Sequence, residues 1–310
     1  MVLTKPFSLL LCVWLLANLR AAAADHAGFN LREPAPGLFV HTGRQVAPDA
    51  RGHGDIANIG FIVGSTCVAV VDSGGSVTTG RALRAAIREH TRLPICYVIN
   101  THVHFDHVLG NAAFRRDNPS FVGNAALRRA IERSREFFVT HYGGDLDPGL
   151  APDRIIGPDR LVERELTLDL GNRQLRLRAW PIAHTDCDLT VYDDRTGTLW
   201  TGDLLFRERL PALDGSAKGW LAAIDELARW RVKLAIPGHG SLARDLASAL
   251  IPERRYLQAV IEGARSELEQ GKPMQDALAH VANAERPHWL LWDDVHQRNV
   301  ARVYQELEWE

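Results

Sequence analysis

Between Gly37 and Gly240, apolar runs alternate with polar, glycine-rich connections. The stretch "GLFVHTG" has strand character. "GHGDIANIGFIVG" runs from a glycine-rich loop into an apolar strand, and "CVAVVDSGG" is a second strand ending in Asp72 and a glycine turn. Apolar spacing at Leu83 and Ile87 predicts a helix over "SVTTGRALRAAIREH". "LPICYVINTH" is a third strand, and "GNAALRRAIERSREFFVTHY" reads as a helix. Two alternating strands, "LVERELTLDL" and "QLRLRAWPI", flank a turn at Gly171 and Asn172. "DLTVYDDRTGTLWTGDLLF" is strand, turn near Thr196 and Gly197, and strand. "AKGWLAAIDELARW" is an amphipathic helix, "VKLAIPGHG" a final strand and loop, and the chain from about Asp245 is mostly helical. With no linker or repeat in view, the simplest architecture is one α/β domain of two packed sheets with helices outside.

The N-terminus follows a different pattern. Lys5 precedes "SLLLCVWLLANL", too short a run to span a bilayer comfortably, and small residues at Ala22 and Ala24 complete a cleavage pattern. Residues 1–24 are therefore expected to be a secretory signal peptide and 25–310 a single domain with a helical C-terminal tail. The mature protein is then exported, periplasmic, and without a stable membrane anchor. An uncleaved anchor is the alternative. Removing the leader shifts the formal charge from −2 to about −4. A mildly acidic body argues against a nucleic-acid partner, which calls for a basic stripe. Cys67, Cys96 and Cys187 remain, an odd number with no C-x-x-C. Buried free thiols, or one disulfide and one thiol, are both compatible with that count.

The chemistry concentrates in "THVHFDHVLGN", where His102, His104, Asp106 and His107 fall within six positions after a strand. His184 follows "LRAWPIA", Asp203 ends "GTLWTGD", and His239 follows "VKLAIPG". All seven are expected just past strand C-termini, where a rigid sheet supports a functional loop. Imidazole and carboxylate suit zinc, and also iron or manganese. His102, His104 and His184 make one three-histidine site; Asp106, His107 and His239 make a second, with Asp203 bridging. A water between two such metals is present as hydroxide near neutral pH and attacks a carbonyl or similar electrophile, with Asp106 passing a proton to the leaving group.

"THVHFDH" matches the H-x-H-x-D-H motif of the metallo-β-lactamase superfamily, and "TGD" and "PGHG" surround Asp203 and His239 in the family's order. The chain resembles that superfamily over most of residues 37–245. The resemblance implies a four-layer αββα sandwich with a dinuclear zinc centre. "AHTDCDLTVYD", "GTLWTGDLLF" and "LDGSAKGW" further resemble the SoxH-like group, the quinoprotein relay system zinc metallohydrolases. That implies an exported hydrolase with a functional link to quinoprotein dehydrogenase systems. Asp203 stands where β-lactamases typically carry cysteine or serine; a bridging aspartate resembles glyoxalase II and other thioesterase- or lactonase-type members. The expected activity is hydrolysis of a small ester, thioester, lactone or amide. The alternatives are a three-histidine metallo-β-lactamase, a mono-iron sulfur dioxygenase-like redox enzyme, and a non-catalytic accessory protein.

Neighbouring residues have plainer readings beside functional ones. Asp72 either orients a ligand histidine or caps the next helix. Asn100 and Thr101 read as the end of their strand, Cys187 as a packed thiol, and His53 and Asp55 as a solvated loop. Arg207, Arg209 and Lys218 follow Asp203 closely and are solvated charges by default; the functional reading beside it is that one of them binds an anionic substrate group. Trp289 and Trp292 read as core or interface.

Overall fold

Apolar runs become strands wherever both faces of a sheet are covered. The computed structural model describes residues 29–48, 52, 54–144 and 146–309. The leader expected over residues 1–24 and His53 lie outside them. The unit beginning at Leu31 carries every element named below.

Seven strands form the first sheet in chain order: β1 (Leu31–Ala35), β2 (Leu38–His41), β3 (Ile59–Val63), β4 (Val68–Val71), β5 (Ile95–Ile99), β6 (Ser120–Asn124) and β7 (Arg160–Val162). β1 to β4 pair antiparallel and β4 to β7 parallel. The second sheet has the order β12 (Leu234–His239), β11 (Thr198–Phe206), β10 (Leu189–Asp193), β9 (Gln174–Ala179), β8 (Glu165–Asp169). Only β11 and β12 run parallel there.

β3 and β4 are buried almost throughout, as continuous apolar runs must be. β8 and β9 instead alternate around Gly171 and Asn172, whose φ values of 76° and 51° give the turn that matches strand twist. The inner faces meet in one core, where Val40, Ile62 and Val71 pack with Leu177, Val191 and Trp200. Helix α1 (Val77–His90), capped by Ser76, lies outside the first sheet and sets His90 against stacked Phe39 and Phe61. α2 (Phe105–Val108) follows β5, and α3 (Leu127–Tyr142) packs beside it. α4 (Ala217–Leu227), α5 (Leu246–Glu269), α6 (Met274–His280) and α7 (Trp292–Glu308) cover the second sheet. The result is the αββα sandwich. No described helix is long and apolar enough to cross a membrane.

One expectation needs correction. The helix read from Gly123 begins at Leu127, because Ser120–Asn124 is strand β6. In the helical tail, Trp292, Val300 and Val303 share a core with Trp220 and Ile224. Cys67, Cys96 and Cys187 are all free thiols, the first of the two readings given above, and burial, with Cys96 alongside, pushes the Cys67 thiol up to about 12. Trp289 and Trp292 are core residues, as read.

Candidate metal centre

β5 ends at Ile99, and the chain turns through Asn100 and Thr101 to present His102 and His104 before α2 brings in Asp106 and His107. His184 sits in the loop between β9 and β10, and His239 is the last residue of β12. Asp203 corrects the expectation that all seven lie past strand ends, since it is inside the nine-residue β11. Register shifts on both sides of Gly202, itself at φ 53°, turn the carboxylate into the site. Gly238 permits this approach: a Cβ there would sit 1.7 Å from Asp203 Oδ1.

The structure brings all seven together in two groups, His102, His104, His184 and Asp203, and Asp106, His107 and His239. Within each group the ligand atoms lie within 4.8 Å of one another. Asp203 Oδ2 is 3.5 Å from His102 Nε2, 3.3 Å from His184 Nε2 and 3.4 Å from His239 Nε2, so one carboxylate faces both groups. Its Oδ1 lies 3.3 Å from His107 Nε2, yet both atoms are buried with no hydrogen-bond partner. Asp106 Oδ2 is 3.3 Å from His239 Nε2.

The outer ring nitrogens explain what the inner ones are for. His102 Nδ1 meets Thr101 Oγ1 at 3.0 Å, and that hydroxyl donates to Asp72 Oδ2. His107 Nδ1 meets the same Asp72 oxygen at 2.8 Å. His104 Nε2 meets Asp214 at 2.6 Å, His184 Nδ1 the Ala212 carbonyl at 2.6 Å, and His239 Nδ1 the Ile56 carbonyl at 2.8 Å. Every outer nitrogen faces an oxygen acceptor and so carries a proton. Five lone pairs then converge on the centre. His104 Nδ1 is 3.1 Å from His102 Nε2 and 3.0 Å from His184 Nε2, close to the edge of about 3.3 Å expected between ligands of a tetrahedral ion. Bare nitrogens at that separation require positive charge between them, and the donor set fits two metal ions.

Residues 53–239 match the family model for the metallo-beta-lactamase superfamily. The chain belongs to this superfamily. Among solved structures, a double mutant of the sec-alkyl sulfatase PisA1 aligns with TM-score 0.66 and 19% identity, covering 90% of this chain and 50% of that one. This chain therefore spans about half the alkylsulfatase's length. The metallo-beta-lactamase from Pontibacter korlensis aligns with TM-score 0.59 and 20% identity over 74% of this chain and 99% of its own. TMB-1 aligns with TM-score 0.58 and 17% identity over 74% and 97%. At these identities the likeness is one of fold. No curated protein matches the chain.

The site holds its charges against their surroundings. Burial keeps His102 well below its usual range and brings His184 down to about 3, so both rings are neutral and ready to bind a cation. Burial also opposes protonation of His107, but the carboxylates of Asp203, Asp106 and Asp72 outweigh it and hold the ring well above its usual range. Burial opposes His104 likewise, and Asp214 raises it.

Several surrounding roles differ from the expectations. Asp72, at φ 55°, orients His107 and takes two hydrogen bonds from Thr101, while the cap of α1 is Ser76. Asn100 is no mere strand end, since its amide donates to the His107 carbonyl. Asp55 pairs with His41 at 2.7 Å. Cys187 is a packed thiol, as read. Arg207 is tied to the carbonyls of Ser241 and Leu242, and Lys218 lies on α4, off the cavity lining. Arg209 is buried and faces the site. Asp214, 110 positions from His104, had no spacing signal at all. The centre opens into a cavity of about 430 Å³, to which the tail contributes Leu291, Asp294, Val295 and Arg298.

Proposed function

We propose that this chain is an exported, periplasmic dinuclear zinc hydrolase that cleaves a small ester, thioester, lactone or amide in the service of a quinoprotein dehydrogenase system. The observation that carries the hydrolytic reading is the set of five ring nitrogens converging on Asp203, each with its outer nitrogen held by an oxygen. His102, His104 and His184 would hold one ion, Asp106, His107 and His239 the other, with Asp203 shared. When bound, such a pair supplies Lewis acidity and a water acidic enough to act as a nucleophile near neutral pH. The chain's own part is to orient and exclude. Thr101, Asp72, Asp214 and two backbone carbonyls fix the rings. Asp106 Oδ2, only 6% exposed as a side chain and at the cavity wall, is placed to hand a proton to the leaving group. Export rests on the leader pattern, and the quinoprotein link on the resemblance of residues 183–220 to the SoxH-like group.

The test is elemental analysis of the chain from Asp25, beside His107→Ala, followed by ester, thioester, alkyl sulfate and β-lactam panels. Two zinc ions per chain, with loss in the variant, together with turnover, are expected. One iron per chain would transfer the protein to the redox alternative. No metal under replete conditions would end the catalytic reading.

A further inference from the structure

Two of the three thiols meet on the inner face of the first sheet. Val68 N donates to the Pro94 carbonyl at 2.9 Å, and Val68 pairs with Ile95, so β4 and β5 start side by side. The register then slips: Ala69 pairs with Tyr97, and Cys96 is left over between the paired residues. A bulge re-aims the side chains around it. Cys96 and its neighbour Tyr97 consequently both pack against the core that holds Cys67, Ala69 and Val71, where a regular strand would send them to opposite faces. The Cys67 and Cys96 side chains share a hydrogen bond. Cys67 is 4% exposed, whereas Cys96 is half-buried. Cys187 belongs to a different core, with Phe105 and Ile131, and its sulfur lies 3.5 Å from Thr185 Oγ1.

We propose that Cys67 and Cys96 close into a disulfide that staples β4 to β5 when the folded protein meets a disulfide oxidant, and that Cys187 stays a thiol. The Cys96 thiolate attacks one sulfur of the oxidant, whose other sulfur leaves as a thiolate, and a mixed disulfide forms on Cys96. The Cys67 thiolate then attacks Cys96 Sγ, the remaining half of the oxidant leaves as a thiolate, and the Sγ–Sγ bond forms. The two cysteines give up two protons and two electrons, and the oxidant's disulfide becomes two thiols. Burial, with Cys96 alongside, holds the proton on Cys67, so the second step is the slow one near neutral pH. An oxidising compartment, as proposed above, supplies such an oxidant. The pair lies at the starts of β4 and β5, and Asp72 and His102 follow their other ends. The staple therefore fastens the far end of the two strands that carry the centre. The link forms whether or not that centre is hydrolytic.

The full chain, purified reduced and then freed of reductant, is incubated under native conditions with oxidised glutathione until the product no longer changes. It is then alkylated in denaturant and mapped by mass spectrometry. The expected product joins the peptides of Cys67 and Cys96, lighter by two hydrogens than the reduced pair, with Cys187 alkylated. Cys67→Ser is expected to keep glutathione on Cys96, and Cys96→Ser to leave Cys67 alkylated. Alkylation of both Cys67 and Cys96 in the wild type, glutathione retained there on Cys96, or a link from Cys96 to any other cysteine overturns the proposal. The wild-type map decides the pairing even if a variant fails to fold. Melting reads the staple. The oxidised form is expected to melt several degrees above the reduced form, a gap that dithiothreitol removes and Cys96→Ser lacks. An oxidised form that melts no higher than the reduced one would overturn the stapling role.

Discussion

Glu253 on α5 is a carboxyl shut away from the surface with one hydrogen-bond contact. It is fully buried, accepts a hydrogen bond from the Phe206 backbone N–H at 3.0 Å, and leaves Oε2 unpartnered. Burial pushes its pKa well above the ordinary 4.5. The folded chain therefore retains this proton where the unfolded chain has released it, so stability falls as pH rises from about 4.5 towards the folded value. Glu253→Gln keeps the acceptor and cannot ionise. Thermal melts across pH are expected to show a shallower loss of stability with rising pH in the variant than in wild type. At this scale the sequence exposed a good deal. The seven candidate ligands were legible because histidine and aspartate at such density have few structural uses. Their supports were not, because two are backbone carbonyls, of Ile56 and Ala212, and a third, Asp214, is brought in by a distant loop. Arg209 looked like surface because its neighbour Arg207 is indistinguishable from it in sequence, and only tertiary packing separates them.

Strands and helices with clean periodicity were also legible, including the α1 region and the Gly171–Asn172 hairpin. β6 was missed because "SFVGN" runs directly into a helical pattern, and short apolar runs do not declare their type. The bulged middle of β11 was missed for a different reason: strand periodicity carries no sign of a register shift. That irregularity makes a sharp prediction at β12. In Gly238→Ala the new methyl would occupy the place of Asp203 Oδ1, with Gly202 backbone only 2.9 Å away. The two strands must separate or the carboxylate must swing out. The variant is expected to keep its far-ultraviolet circular dichroism and to lose bound metal by elemental analysis, although residue 238 offers no ligand atom.

Across the molecule, the largest core joins the second sheet to all of α4 to α7. Trp292, Val295, Val300, Val303, Tyr304 and Leu307 of α7 are each at most 9% exposed. Burying one such side chain contributes about 1.5–3 kcal/mol, and a whole domain retains only about 5–15 kcal/mol. A chain ending before Trp292 is therefore expected to fail to fold, recovered as insoluble material or without a cooperative melt. A soluble truncation with an unchanged melting temperature would show that the tail contributes little. The sequence showed helices here without showing what they cover, since an amphipathic stripe names a buried face and not its partner.

The candidate ligands come from both halves of the sandwich: four follow β5 of the first sheet, and three belong to the second. An ion held by both sets is a rivet through the seam between the sheets. Once riveted, the halves can part only by first releasing metal, and slow release becomes slow opening. In a cell short of the metal, newly made chains would then be lost to proteases before any shortfall of turnover is felt, and the amount of protein would itself record the metal supply.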